Sequence, residues 1–373
     1  MPKILGISIY TGLFSLLFYN QNMMVRFLGS DIFRGSVYGR GHPLNIARVW
    51  PVIDICRALG WLAADEYQQI APATPKELQL FHTPDYVAAL LEAEKQQELS
   101  AAQMQRHRIG LDNNPIFPQV YSRPATAAAA SMRGAKALLS GEAQIVFNPS
   151  GGTHHGMPDR ANGFCFVNDP ALAILSLLRG GAGRVAYIDI DAHHADGVEA
   201  HLSGLPQVRL WSVHEENRWP RTGKAGDVGQ GNARNYTLAR GAEDTALLKI
   251  INQHIVPEVS EFAPEFIILQ AGCDGLADDP QSGLCYSNQG YWQAIEQILA
   301  LKTPSMILGG GGYNPYSTAR AWAGIWGLIK GKNPYQTKAN ADVQQILSSL
   351  EWQHRRAQNR PARWTEQLFD ETG

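Results

Sequence analysis

The chain has 373 residues, of which 45% are hydrophobic, so it is long enough to bury a large core in one elaborated domain or in two. Its formal charge of -2 and isoelectric point near 6.6 give no overall electrostatic reason to bind nucleic acid or an anionic membrane. We therefore expect neither nucleic acid nor a membrane among its partners.

The N-terminal apolar stretch and the cysteines bear on location. The stretch from Ile4 to Phe18 is too short to span a bilayer and no A-x-A cleavage site follows it, so we interpret it as a buried strand. The four cysteines lie far apart and form no CxxC pair, which argues against a disulfide framework or a zinc ribbon. This usage indicates a reducing compartment, and we expect the protein in the cytoplasm.

Short runs rich in β-forming residues recur along the chain, with helical patterns between them. The predicted strands are Gln144 to Phe147, Arg184 to Ile190, Val208 to Val213, Phe266 to Leu269 and Ser305 to Leu308. The predicted crossover helices are Ala125 to Leu139, Pro170 to Leu178 and Ala246 to Val259. This alternation predicts an α/β fold with a parallel sheet covered by helices.

Each predicted strand is followed by a loop rich in Gly, His, Asp or Asn. In chain order these loops read PSGGTHHGMPDRANGF, DIDAHHADG, HEENRWPRTG, QAGCDGLADDP and LGGGGYN. Ligands of open parallel sheets bind beyond the carboxyl ends of the strands, so these loops are expected to converge on one site. The polar tail after Asn333 is interpreted as peripheral helices or an oligomer contact.

A group of metal-binding residue types stands at the end of the strand that contains DIDAH. Side chains alternate along a strand, so Asp189, Asp191 and His193 are predicted to project to one side. Two buried carboxylates are costly unless a cation or donors neutralise them, and an imidazole with carboxylates suits zinc or iron. Asp274, at the end of FIILQAGCD, adds a carboxylate. The sequence thus predicts a divalent ion on Asp191, His193 and Asp274, with Zn²⁺ expected and Fe²⁺ as the alternative.

Together these motifs resemble the histone deacetylase family, including its bacterial acetoin-utilisation and acetylpolyamine amidohydrolase relatives. The matching pieces, in the family's order over residues 17 to 330, are YGRGHPLNIAR, FHTPDYV, SGGTHHG, NGFCFVND, YIDIDAHHADGVE, QAGCD and LGGGGYN. The resemblance implies the arginase-deacetylase fold, a single domain with a central parallel sheet of about eight strands. We therefore expect an N-terminal extension at 1–16, a catalytic domain at 17–330 and a peripheral helical segment at 331–373.

The resemblance also implies a role for each group that amide hydrolysis requires. His154 and His155 would transfer protons, paired with Asp189 and Asp196 respectively, which makes Asp189 a support for a histidine rather than a metal ligand. Tyr313, after a four-glycine run, would donate its hydroxyl to the oxyanion. The implied activity is zinc-dependent hydrolysis of an N-acetyl amide, with acetyl-lysine or a small acetylated amine as substrate.

Other positions match the family's substrate tunnel. Gly163, Phe164 and Trp219 would line it, with the aromatic faces against the methylenes of an acyl-lysine. The substrate-anchoring aspartate of the family matches Asp112 or Asn113, and alignment on the following proline favours Asn113.

Two further assignments rest on the resemblance. Arg48 in HPLNIAR matches an internal arginine beside a product channel, against the alternative of a surface helix arginine. A potassium site near the metal is implied for Asp189, Asp191, His193, Ser212 and Val213, the last two lying with His214 just after a strand.

Residues 20–35 are interpreted as an insertion near the tunnel rim that alters substrate access or engages a neighbouring subunit, so self-association stays open.

Three alternatives differ in what the site would contain. An arginase-like hydrolase binds two metal ions and needs a second aspartate near Asp274, where Gly272 and Cys273 stand instead. Polyamine-specific relatives carry an acidic residue at the tunnel mouth, where this chain has Gln281. A non-catalytic acyl-group binder would have no use for Tyr313 and the histidine pair.

Overall fold

The fold is built on one sheet of eight parallel strands. The computed structural model describes residues 24–35, 38–39 and 41–370. The strands are β1 (Val25–Gly29), β2 (Tyr67–Gln69), β3 (Ile145–Asn148), β4 (Val185–Asp189), β5 (Val208–Glu215), β6 (Ala233–Leu238), β7 (Phe266–Gln270) and β8 (Ser305–Leu308). Their order across the sheet is β2-β1-β3-β8-β7-β4-β5-β6. The expected α/β fold with a parallel sheet of about eight strands is confirmed.

Helices alternate with the strands and then form a C-terminal group. The α-helices are α1 (Ile32–Gly35), α2 (Val49–Ala58), α3 (Pro75–Leu78), α4 (Pro84–Gln96), α5 (Ala101–His107), α6 (Ser122–Leu139), α7 (Asp169–Arg179), α8 (Asp196–Leu202), α9 (Asp244–Ile250), α10 (Val256–Phe262), α11 (Asn288–Leu299), α12 (Pro315–Ile329), α13 (Ala341–Ser348) and α14 (Arg363–Glu366). Short 3₁₀ helices span Pro334–Gln336 and Arg355–Asn359. None of the helices in the described residues is long and apolar enough to cross a membrane.

The core has two layers because neighbouring side chains of a strand face opposite sides of the sheet. In β4, Ala186 and Ile188 belong to the cluster that packs against α2, α11 and α12, whereas Val185 and Tyr187 belong to the cluster under α6, α7 and α8. A strand buried on both faces has a nearly continuous apolar sequence, which is why the strands of the sheet centre were predicted from sequence.

The predicted strands and helices are found close to their expected bounds, with two corrections. Ala246 to Val259 is not one regular helix, because a π-helical turn at Ile251–Ile255 separates α9 from α10. Of the predicted rim insertion at 20–35, the described part is 24–35, and it is not an insertion because Val25–Gly29 pairs with β2 on one side and β3 on the other. The predicted strand from Ile4 to Phe18 and the extension at 1–16 lie outside the described residues.

Candidate active site

Four loops meet at one edge of the sheet because they follow four neighbouring strands. Strands β3, β8, β7 and β4 lie side by side, and all are parallel. His154 and His155 follow β3, Asp191 and His193 follow β4, and Asp274 follows β7. Tyr313 follows β8. The convergence expected from the polar strand ends is found here.

Asp191, His193 and Asp274, which we call the metal group, lie close together. The ligand atoms of Asp191, His193 and Asp274 all lie within 4.8 Å of one another. The His193 Nδ1 atom is 3.1 Å from Asp191 Oδ1 and 2.8 Å from Asp274 Oδ2. All three residues are buried. No other group of three His, Cys, Asp or Glu side chains in the described residues comes as close, which leaves an arginase-like second ion without ligands there.

The backbone holds both carboxylates in a fixed orientation. The amide of Gly311 donates to Asp191 Oδ2 at 2.7 Å, and the amide of Ala192 donates to Asp274 Oδ1 at 2.8 Å. Asp274 Oδ2 and Asp191 Oδ1 remain beside the His193 ring. Two buried carboxylates and one imidazole are a donor set that suits a zinc ion with open positions, so the residues fit the metal that the sequence predicted.

Asp189 lies next to this group but faces the histidine pair. Its Oδ2 atom is 2.7 Å from His154 Nδ1 and accepts a hydrogen bond from the Tyr187 hydroxyl at 2.6 Å. Its Oδ1 accepts from the Asp191 amide. The strand ends at Asp189, so the alternation that predicted three side chains on one side does not extend past it. The alternative in which Asp189 supports a histidine fits this geometry.

The two histidines form a chain that ends in a carboxylate at each end. His154 Nε2 and His155 Nε2 are 3.0 Å apart, and His155 Nδ1 is 2.6 Å from Asp196 Oδ1. Asn162, which sequence reasoning did not single out, donates to the second oxygen of Asp196 at 3.0 Å. His154 Nε2 lies 3.9 Å from Asp191 Oδ1, which places the pair against the metal group.

The surroundings push the two imidazole pKa values apart. Burial opposes protonation of His154, but the charges of Asp189 and Asp191 outweigh it and raise its pKa to about 9. Burial and the neighbouring His154 charge lower the pKa of His155 to about 4. A divalent cation on Asp191 would repel a proton on His154 and reduce this difference. Paired groups with separated pKa values are typical of acid and base roles.

A buried aspartate orders the loop that carries both histidines. Asp169 begins α7 and accepts hydrogen bonds from the amides of Gly152 and Thr153 at 3.1 and 2.8 Å and from the hydroxyl of Ser131 at 2.6 Å. Asn168 caps the same helix and donates to the carbonyl of His154 at 3.1 Å. Helix α7 therefore fixes the direction in which the loop leaves β3.

Tyr313 and the two predicted tunnel aromatics make ring contacts with one another or with the site histidines. The ring of Tyr313 is buried and lies 6.1 Å from that of Phe164, centroid to centroid. The ring of Trp219 lies 4.7 Å from that of His155 and 6.4 Å from that of His193. Trp219 is 44% exposed, so it stands at the surface of the site.

Gly163 leaves space for the Trp219 ring. A Cβ atom at this position would overlap the end of that ring and lie 2.7 Å from His155 Cδ2. Its φ of +53° is in the left-handed region that favours glycine. The next residue is held by Asn114, whose side chain accepts from the amide of Phe164 at 2.9 Å.

The predicted rim residues Asp112, Asn113 and Gln281 each form an ion pair or a hydrogen bond with a neighbouring residue. Asp112 is paired with Arg108 at 3.0 Å and is exposed. The backbone carbonyl of Asn113 is 3.0 Å from His42 Nε2, and the His42 ring packs edge-on to Phe164. Gln281 is partly buried, and its backbone amide donates to Asp279 Oδ1 at 2.8 Å.

Arg48 is half-buried, with its guanidinium turned into the protein. It stands at the N-cap of α2, and its guanidinium donates to the carbonyls of Gly310 and Gly312 at 2.7 and 3.3 Å. The guanidinium also lies 5.4 Å from the ring centroid of Trp322. These contacts put its charge behind the glycine run that leads to Tyr313.

The expected potassium-site residues lie beside Asp189, but inside a strand rather than after one. Strand β5 extends to Glu215, so Ser212, Val213 and His214 all belong to it. Ser212 is the register partner of Asp189, and its hydroxyl is 2.9 Å from His214 Nδ1. The strand continues because β6, which was not predicted, pairs with it.

Comparisons with known proteins agree with this geometry. The family model of the histone deacetylase domain matches residues 42–329. The chain is 32% identical over 298 residues to histone deacetylase RPD3 of Saccharomyces cerevisiae, covering 78% of this chain and 68% of that protein. It is 34% identical over 266 residues to histone deacetylase 8 of Xenopus tropicalis, covering 70% and 72%. 

Solved structures extend the similarity over most of the chain. The crystal structure of an HDAC homolog from Aquifex aeolicus superposes with a TM-score of 0.87 at 32% identity, over 93% of this chain and 94% of that one. A structure of an HDAC homolog complexed with SAHA gives a TM-score of 0.86 at the same identity and coverage.

Proposed function

This chain belongs to the histone deacetylase family of zinc-dependent amidohydrolases, and we propose that it removes the acetyl group from an acetylated lysine side chain or a small acetylated amine. The observation that carries this proposal is the grouping of three ligand residues, two carboxylate-paired histidines and a tyrosine at four neighbouring strand ends. A protein that only binds acyl groups would not need this combination of residues.

Zinc would be held by Asp191, His193 and Asp274 and would supply Lewis-acid activation of a water molecule and of the acetyl carbonyl. His154 and His155 would take the proton from the attacking water and deliver one to the departing amine. Asp189 and Asp196 would fix their tautomers, because each accepts from an Nδ1 atom and leaves Nε2 toward the reacting groups.

Tyr313 would donate its hydroxyl to the oxyanion, and Phe164 and Trp219 would flank the substrate stem. Gly163 supports this arrangement because its missing side chain is what admits the Trp219 ring. Asn113, Asp112 and Gln281 would contact the substrate at the rim. Arg48 would stabilise an anionic product behind the metal group.

Three finer assignments accompany this proposal. Potassium would bind near Asp189, Asp191, His193, Ser212 and Val213, where the pairing of Asp189 with Ser212 supports a shared cluster. The protein would reside in a reducing compartment such as the cytoplasm, which its four free cysteine thiols support. The proposed catalytic unit is 17–330, with 1–16 as an extension and 331–373 as a peripheral segment.

The test is an activity panel on the full chain loaded with defined metals. Zinc-loaded enzyme is expected to hydrolyse acetyl-lysine peptides. Acetylated polyamines are assayed beside them, and the ratio of the two rates distinguishes a lysine substrate from a small-amine substrate. Tyr313→Phe should lower kcat by roughly a hundredfold or more and leave the zinc content unchanged, because it removes one oxyanion donor. Tyr67→Phe is the matched control, since that hydroxyl lies on an edge strand and its one hydrogen bond within the described residues is to Gln69. Cleavage of a different amide while all acetylated peptides and polyamines stay intact would contradict the substrate class.

A further inference from the structure

We propose that the C-terminal clamp, defined as the helices Arg355–Asn359 and Arg363–Glu366, positions Tyr313 for its reaction by holding the loop at residues 277–281. This inference rests on the proposed function, because it gives the clamp an effect on turnover only if Tyr313 acts in it. The clamp would supply positioning residues that act through the loop and do not touch the substrate.

The first link joins the loop to Tyr313. The buried carboxylate of Asp279 accepts a hydrogen bond from the Tyr313 amide at 2.6 Å and one from the Gln281 amide at 2.8 Å. Tyr313 follows Gly310 and Gly312, whose φ angles of +134° and +147° belong to glycine alone. Arg48 and Asp191 hold the glycine run that precedes Tyr313. The Asp279 carboxylate adds the hydrogen bond that holds the Tyr313 amide itself.

The second link joins the same loop to the clamp. Asp278, the neighbour of Asp279, contacts the clamp: its Oδ2 accepts from Arg363 Nη2 at 2.6 Å and from Trp364 Nε1 at 2.7 Å. Arg356 adds a hydrogen bond from Nη1 to the Asp279 carbonyl at 3.0 Å. Adjacent aspartates thus connect Tyr313 on one side with the clamp on the other.

The third link anchors the clamp on the helix that follows Tyr313. Trp364 is 2% exposed, and its ring stacks on Tyr316 in the first turn of α12, with centroids 5.2 Å apart and planes at 18°. Asn314, the N-cap of α12, donates to the Asp278 carbonyl at 3.3 Å. The clamp therefore holds the loop and the start of α12 together, and Tyr313 lies between the two.

The test uses two substitutions that loosen the clamp without removing its core. Trp364→Phe removes the indole donor but keeps a ring against Tyr316, and Arg363→Met removes the charge but keeps the stem. Each is expected to lower kcat roughly tenfold, with KM within about twofold, because small misplacements of a reacting group cost turnover. Zinc content should stay unchanged, and Arg363→Lys should restore part of kcat. Arg355→Met, an exposed neighbour in the same clamp, is the matched control and should have wild-type kinetics.

The same substitutions in a Tyr313→Phe background separate positioning from general damage. If the clamp acts through the Tyr313 hydroxyl, Trp364→Phe and Arg363→Met should cause no further loss of kcat there. An equal loss in both backgrounds, or no loss in either, would overturn the inference while leaving the proposed function intact. A neutral Tyr313→Phe would overturn the proposed function and the inference with it.

Discussion

At the scale of single residues, the metal group depends on a position that has no side chain. The Gly311 amide donates to Asp191 Oδ2 at 2.7 Å. A Cβ atom at Gly311 would overlap Asp274 Oδ2 and lie 2.8 Å from Asp191 Oδ2. Both neighbours are proposed ligands packed in the core, so neither carboxylate has room to move aside.

Gly311→Ala should therefore weaken zinc binding, by at least about tenfold, which is the lower end of what changes around metal ligands cost. A competitive zinc titration with a chromophoric chelator measures this directly. Gly35→Ala is the matched control, because a Cβ at that exposed helical position meets no atom within 4 Å from other parts of the chain that the structure describes. Equal zinc affinity for the two variants would mean that the carboxylates are not held as tightly as these contacts indicate.

The proposed ligands and the histidine pair could be predicted from the sequence because each stands next to a recognisable apolar strand. Asp279 and Asn114 could not be predicted, although each fixes a residue of the site. Their partners are the backbone amides of Tyr313 and Phe164, which lie 34 and 50 residues away in the chain. A side chain that binds a distant amide leaves no local pattern, since every residue except proline offers the same donor.

At the scale of elements, helix α7 controls the loop of the histidine pair through Asp169. Both oxygens of this buried carboxylate accept from backbone amides, at Gly152 and Thr153. Asp169→Asn would turn one oxygen into an NH₂ group that faces an amide donor. An unsatisfied buried donor costs about 1–3 kcal/mol, so the free energy of unfolding should fall by that amount.

The same substitution should lower turnover while zinc content is retained, because the loop carries His154 and His155 but none of the proposed ligands. Urea denaturation, zinc analysis and kcat for an acetyl-lysine peptide give the three measurements. Asp342→Asn, exposed in the first turn of α13, is the comparison that should change none of them. A parallel loss of zinc would show that the loop also shapes the metal group.

The strands that were predicted and those that were missed differ in burial. Strands β3, β4, β7 and β8 lie at the centre of the sheet, and their apolar runs follow from burial on both faces. Strand β2 is a three-residue edge strand, and β6 at the other edge alternates with polar residues. Strand β1 was interpreted as part of an insertion because its run VRFLG is short and contains the charged Arg26.

At the scale of the whole molecule, the site could be predicted without knowledge of the strand order. All eight strands are parallel, so every carboxyl end lies at the same edge, whichever strands are neighbours. The order β3-β8-β7-β4 decides which loops touch, and it depends on packing between segments far apart in sequence. The pairing of His154 with Asp189 came from a family resemblance for this reason.

Zinc and pH should be linked in the stability of the entire chain. Burial opposes protonation of His193, but Asp274 and Asp191 outweigh it and raise its pKa to about 10, while that of His154 rises to about 9. Both exceed the ordinary histidine value, so their stabilisation is fully present below about pH 6.5 and is lost as pH rises through 9 to 10. His155, with a pKa of about 4, stays neutral throughout this upper window.

Chelated protein should therefore lose stability between pH 7 and 9.5, with a slope of up to about 1.4 kcal/mol per pH unit for each proton that only the folded state holds. Zinc replaces the proton on His193, so zinc-loaded protein should be more stable and should show a flatter curve. Urea denaturation at several pH values, with and without zinc, compares the two. His193→Gln removes the titrating ring and should remove most of the difference in slope, whereas parallel curves for the wild-type protein would indicate that zinc binds without displacing this proton.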